Sequence, residues 1–85
     1  MLRITRCAGA DGALSLRLEG RLAASDLPAL ASAVATHAPR AVALDLSELR
    51  ALDNPARAWL EALIASGARV TAATPFIARL LGARG

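Results

Sequence analysis

The chain has 85 residues, 55% of them apolar, and a formal net charge of +3 from ten arginines against seven acids, with no lysine and no tyrosine. This length holds one domain, residues 1–85, with a modest core, and leaves no room for a second. Trp59 and Phe76 are the only aromatics, too few for a base-stacking nucleic-acid surface. Cys7 stands alone, which excludes an internal disulfide and a cysteine-rich metal site. No apolar run nears the ~18 residues of a membrane helix, so no direct membrane insertion is expected.

Leu2 and Ile4 alternate with Arg3 and Thr5, a period of two that predicts a first strand over Leu2 to Cys7. A strand this early leaves no segment for a secretory leader, so the expectation is a soluble, cytoplasmic chain. Gly9-Ala10-Asp11-Gly12 predicts a turn, Asp-Gly favouring positive φ in a hairpin connection. Leu14, Leu16 and Leu18 then alternate with Ser15, Arg17 and Glu19, and Gly20-Arg21-Leu22 ends this second strand. The pair should form an antiparallel hairpin with one apolar face and one arginine-rich face.

Ser25 is placed to cap a helix, with Pro28 in its first turn, where a missing N–H costs little. Leu27, Leu30, Val34 and Ala38 recur at helical spacing and predict a helix over about residues 26–37, stopped by Pro39. Ala41 to Leu46 is a short apolar run, as expected of a central parallel strand, and it leads into an acidic turn at Asp45 to Ser47. A second helix from about Pro55 to Ser66 should bury Leu60, Leu63 and Ile64 before Gly67 stops it. Arg69 to Ala73 reads as an edge-like fourth strand. Thr74 then caps, and Pro75 opens, a last helix through Phe76, Ile77, Leu80 and Leu81. The order predicts an α/β domain: about four strands in a mixed sheet, an N-terminal antiparallel hairpin and helices mainly on one face. Right-handed crossovers would join the last three strands.

Chemistry concentrates between the third strand and the second helix. Asp45, Asp53 and Asn54 would set two carboxylates and an amide around one helix start. Unpaired N–H groups and partial positive charge at such a start favour an anion or a phosphorylated side chain. For Asp45, bonding loop N–H groups stands beside contact with a partner. For Asp53, capping worth ~0.3–1 kcal/mol at an exposed end stands beside an interface role. Asn54 is itself a competent cap and Pro55 suits the first helical position, which together make a rigid helix start. Trp59, about 100° round the helix from Leu60, either borders the core or stands partly exposed beside Arg57 as an interface anchor. His37 reads as a solvated residue near the end of the first helix. No nucleophile–base pair, phosphate-binding glycine loop or metal-ligand cluster is present in the sequence, so neither an enzyme nor a cofactor is expected.

Three local patterns carry a resemblance. Leu16-Arg17-Leu18-Glu19-Gly20-Arg21-Leu22 runs into a helix. Val42-Ala43-Leu44-Asp45-Leu46-Ser47 is followed after a short gap by Leu52-Asp53. Gly67-Ala68-Arg69-Val70 leads to Thr74-Pro75-Phe76-Ile77 and a terminal Leu-rich helix. In this order the chain resembles the STAS domain, the module of anti-sigma-factor antagonists and of sulfate-transporter tails, over essentially its whole length. In antagonist members the loop reads Asp-Ser-Ser-Gly, and a partner kinase phosphorylates a serine there. The resemblance sets Asp53 on that Asp, with Asn54 and Pro55 where the serines would be and Ala56 in place of Gly. It implies a minimal, non-catalytic interaction module binding through Asp53, Asn54, Pro55, Ala56, Arg57 and Trp59, with Asp45 as a supporting loop acid and no phosphoacceptor. The implied partner is a kinase-like anti-sigma factor. The alternatives are the ATPase subunit of an ABC transporter, or a nucleotide or other anion at the same helix start; self-association also stays open.

Overall fold

The computed structural model describes residues 2–8 and 12–81. Apart from Gly12, the turn expected at Gly9 to Gly12 lies outside them. Strands β1 (Leu2–Ala8) and β2 (Leu14–Leu22) pair antiparallel, with Ile4 opposite Leu18 and Thr5 opposite Arg17. A 3-10 turn (Ala24–Asp26) leads into α1 (Leu27–Val34), and a second 3-10 turn (Pro39–Ala41) leads into β3 (Val42–Leu52). Helix α2 (Asn54–Ala65), strand β4 (Arg69–Ala73) and helix α3 (Pro75–Leu80) complete the chain. The sheet has four strands in the order β1-β2-β3-β4, with β2, β3 and β4 parallel. This is the mixed α/β sheet with an N-terminal hairpin that the sequence predicts.

Alternation along β2 and β3 decides which face is covered. Leu14, Leu16, Leu18 and Leu22 of β2 and Val42, Leu44, Leu46 and Leu49 of β3 are buried. They pack with Leu30 of α1, Ala56 and Leu60 of α2 and Ile77 of α3 in one core. The two crossovers each step one strand in the same direction, so connections of one hand put α1 and α2 on the same face. The opposite face carries Arg17, Glu19 and Asp45 and stays open. Parallel strands with both faces covered read as continuous apolar runs, whereas this half-covered sheet keeps its alternation.

Several boundaries differ from the sequence reading, each for a local reason. Strand β3 does not end near Leu46 but runs to Leu52, because β2 continues beside it through Gly20↔Leu49 and Leu22↔Leu52. Register shifts within that stretch set both Ser47 and Glu48 outward and break the alternation that marks a strand. Gly20, at φ 94°, absorbs one of these irregularities inside β2. Helix α1 stops at Val34, tightening through His37 N–H to Val34 O at 3.0 Å, since Ala38 before Pro39 is pushed to extended backbone. Ser25 is not its cap. The Asp26 carboxylate instead accepts from Ala23 N–H at 2.9 Å.

The ends of α2 and α3 follow the sequence more closely. Ala68 N–H donates to Leu63 O and Gly67 N–H to Ile64 O, the paired bonds of a Schellman stop with Gly67 at φ 123°. A Cβ there would sit 3.2 Å from the Arg40 Cβ, so glycine also permits close approach of the two turns. Thr74 Oγ1 accepts from Ile77 N–H at 3.2 Å, with Pro75 in the first helical position. Leu60 is fully buried, while Leu63 and Ile64 are half-buried. Leu60→Ala should therefore cost roughly 2–5 kcal/mol in urea denaturation, a large share of the ~5–15 kcal/mol available to a small domain. Leu63→Ala should cost clearly less, and an equal or reversed order would mean that α2 is rotated.

Candidate functional site

At the junction of β3 and α2 one carboxylate holds three pieces of chain. Asp53 has extended backbone, φ −85° and ψ 176°, and is the residue that caps α2. Its Oδ1 accepts from Ala56 N–H at 2.9 Å, and its Oδ2 accepts from Ala24 N–H at 2.9 Å across 29 positions of sequence. Its own N–H donates to Leu22 O at 3.2 Å. Asp53 thus ties the end of β2 and the turn before α1 to the end of β3 and the start of α2. The second cap bond links segments remote in sequence, so no local pattern could reveal it.

With Asp53 as cap, Asn54 is the first helical residue and Pro55 the second, one place later than the sequence suggests. Asn54, Pro55 and Arg57 are exposed, and Ala56 is fully buried against the core. Of the candidate residues Ala56 thus serves packing. Arg57 Nε lies 3.7 Å from Glu61 Oε2, four residues on, and both side chains are over two-fifths exposed. Trp59 instead lines a shallow cleft of about 250 Å³ between α1 and α2, with Ala31, Val34, Ala62, Leu63 and Ser66. Two residues along a helix amount to about 200°, so Trp59 and Arg57 do not stand side by side. Four residues amount to about 40°, so Pro55 and Trp59 share one stripe of α2, which reaches the cleft at Trp59.

Asp45 is not part of this cluster. It is the fourth residue of an eleven-residue strand, on the open face, and the length of β3 separates it from Asp53 by on the order of 20 Å. Its Oδ1 accepts from the Ser47 hydroxyl at 2.7 Å and from Ser47 N–H at 3.0 Å. These two bonds, the hydroxyl's first, lower the carboxyl's pKa below the usual aspartate value; partial burial opposes the shift and Arg17 adds to it. The Asp-x-Ser spacing is a local signal for that bond. Arg17 also lies 3.5 Å from Glu19 and 3.9 Å from Glu48, so the open face has its own charge centre. His37 Nδ1 lies 3.0 Å from Gly12 O, a carbonyl that can only accept, so this ring, at an exposed contact beyond the end of α1, also reaches the start of β2.

No family model and no curated protein matches the chain. Solved structures do. The STAS domain of an antisigma-factor antagonist from Rhodobacter sphaeroides is similar at 21% identity over 86% of each chain, with a TM-score of 0.58. A crystal structure of Mglu is similar at 20% identity and a TM-score of 0.56, over 86% of this chain and 19% of that one. An uncharacterized protein with a SpoIIAA-like fold from Shewanella loihica aligns at 22% identity over 88% of this chain and 70% of that chain, with a TM-score of 0.50. At these identities the likeness defines the fold: the chain is a STAS-like, SpoIIAA-like α/β domain. No helix among the described residues is long and apolar enough to cross a membrane.

The double role of Asp53 has a measurable consequence. Asp53→Ala should cost more than the ~0.5–2 kcal/mol of one helix cap, because Ala24 N–H and Ala56 N–H both lose their acceptor. Asp53→Asn keeps one side-chain oxygen and should fall between wild type and the alanine variant in urea denaturation. If Asp53→Asn matches wild type, the bond to Ala24 contributes nothing.

Proposed function

We propose that this domain is a non-catalytic protein-interaction module of the anti-sigma-factor-antagonist type, working in the cytoplasm. It would dock a regulatory protein through the turn from Asp53 to Arg57 and the α2 stripe that continues to Trp59. The observation that carries this reading is the pairing of a rigid, exposed helix start with an apolar cleft. Asn54 and Pro55 stand outward on a turn fixed by the Asp53 bonds, and Trp59 offers its half-buried ring to the seam beside them. A surface that is ordered before binding loses less entropy on association. Trp is one of the residue types enriched among interface anchors. The fold it shares with the Rhodobacter sphaeroides antagonist supports the same reading.

The same geometry argues against an anion or nucleotide at this helix start. Of the four N–H positions that a helix start leaves without an intrahelical partner, Asp53 donates to Leu22 O at 3.2 Å, Pro55 has none and Ala56 is bonded to the Asp53 carboxylate, which leaves only Asn54. A carboxylate already occupies the positive end of the helix. With no hydroxyl from Asp53 to Arg57, the loop also holds one charge state, so partner binding is constitutive or controlled from the partner's side.

The test is titration of the isotopically labelled domain with a purified kinase-like anti-sigma factor, comparing wild type with Asn54→Asp, Arg57→Glu and Trp59→Ala. Trp59→Ala should weaken binding by more than ~1 kcal/mol, and amide shifts should concentrate at Asn54 to Trp59. Asn54→Asp should weaken it moderately without loss of fold. Unchanged affinity across the three variants, or shifts confined to the open sheet face, would move the interface elsewhere. A transporter ATPase subunit bound through the same residues would keep the surface and change the partner.

A further inference from the structure

Strand β3 outruns its neighbour. Pairing with β4 ends at Leu46↔Ala73, but β3 continues to Leu52 against β2 alone. On its other edge Ser47 to Leu52 has no strand partner among the described residues. Beside that edge lies a groove of about 440 Å³ lined by Ser47, Glu48, Leu49, Arg50, Thr74 and Phe76. Phe76 is 58% exposed, the one large apolar side chain so exposed among the described residues. Exposed β-edges recruit other strands unless they are guarded. The other sheet edge, β1, is guarded by charge of one sign, since it carries Arg3 and Arg6 and no acid.

The edge of β3 is different, because its charges are self-complementary. Ser47-Glu48-Leu49-Arg50-Ala51 reads with opposite charges one residue either side of Leu49. A second copy laid antiparallel about a two-fold axis at Leu49 would set Glu48 opposite Arg50 of the other copy, and Arg50 opposite Glu48. Both side chains are exposed, and Leu49 points into the core, so the two charges project together from the open face. Opposite charges directly across a β-pair stabilise it, and like charges oppose it. An isologous contact of this kind closes as a dimer and does not propagate into a fibre. The two Phe76 rings, beside the same stretch in each copy, would be drawn out of water at the seam.

We infer that the free edge of β3, from Ser47 to Ala51, pairs antiparallel with the same edge of a second copy, locked by reciprocal Glu48–Arg50 contacts and flanked by Phe76. This goes beyond the docking surface at α2 and does not depend on it.

Sedimentation velocity of the full chain over a range of concentrations tests it, on wild type, Glu48→Arg, Arg50→Glu and the double exchange. Wild type should dimerise by mass action. Each single reversal should raise the dissociation constant roughly tenfold or more by opposing like charges, and the double exchange should restore it to within about threefold. The rescue cannot come from the contact of Glu48 with Arg17, which the double exchange also lacks. Hydrogen exchange on wild type alone gives a second readout: amides between Ser47 and Ala51 should gain protection as concentration rises. A monomer at every concentration would overturn the inference. So would single and double variants that weaken association equally, or protection gained on β1 or α2 instead.

Discussion

The junction of β2, β3 and their helices hangs on one carboxylate satisfying two helical starts. In a sheet whose parallel strands β2 and β3 both feed helices, the two departing turns leave from the same end and bring unpaired N–H groups close together. Asp53 answers one donor from each turn and adds its own N–H to Leu22 O. A chain lacking that side chain would leave both turns to water and would loosen the angle between β3 and α2. Because the carboxylate is committed to backbone on both oxygens, it is poorly placed to serve as a ligand group. In the proposed docking surface its part is structural: it fixes the turn on which Asn54, Pro55 and the Trp59 stripe keep their relation to the core.

Sheet and helices divide the surface into parts with different chemistry. The helical side offers shape: a shallow cleft between α1 and α2, small residues and one indole. The open side of the sheet offers charge, centred on Arg17 with Glu19 and Glu48 around it and Asp45, its pKa lowered by the Ser47 bonds. Such exposed ion pairs add little to stability and are weakened by salt. The edge of β3 beyond β4 lies between these two regions, where an exposed aromatic and a pair of opposite charges meet.

Much of the fold is legible in the sequence because its signals are local. The Leu14-Leu16-Leu18 alternation, the Thr74-Pro75 start and the Gly67 stop each depend on residues within one turn or one strand, and each stands where expected. What escaped depends on partners remote in sequence. The length of β3 was hidden because bulges at Ser47-Glu48 and near Arg50 erase the period of two while β2 still supplies the hydrogen bonds. A strand ending near Leu46 would put Asp45 in the loop with Asp53, whereas Asp45 lies within the first half of β3 and Asp53 follows its last residue. Ser25 looked like the cap of α1, yet Asp26 and the distant Asp53 answer that turn's donors. Of the two places the sequence leaves open for Trp59, the border of the core is the one it takes, and helical geometry sends Arg57 to a different flank.

The claim that Asp53 couples the two turns is tested most directly by amide hydrogen exchange in wild type and Asp53→Ala under conditions where both are folded. The account predicts that the amides of Ala24 and Ala56 lose protection together, while amides in the middle of β2 and α2 keep theirs. If Ala56 alone becomes exposed and Ala24 is unchanged, Asp53 is an ordinary helix cap and the coupling does not exist.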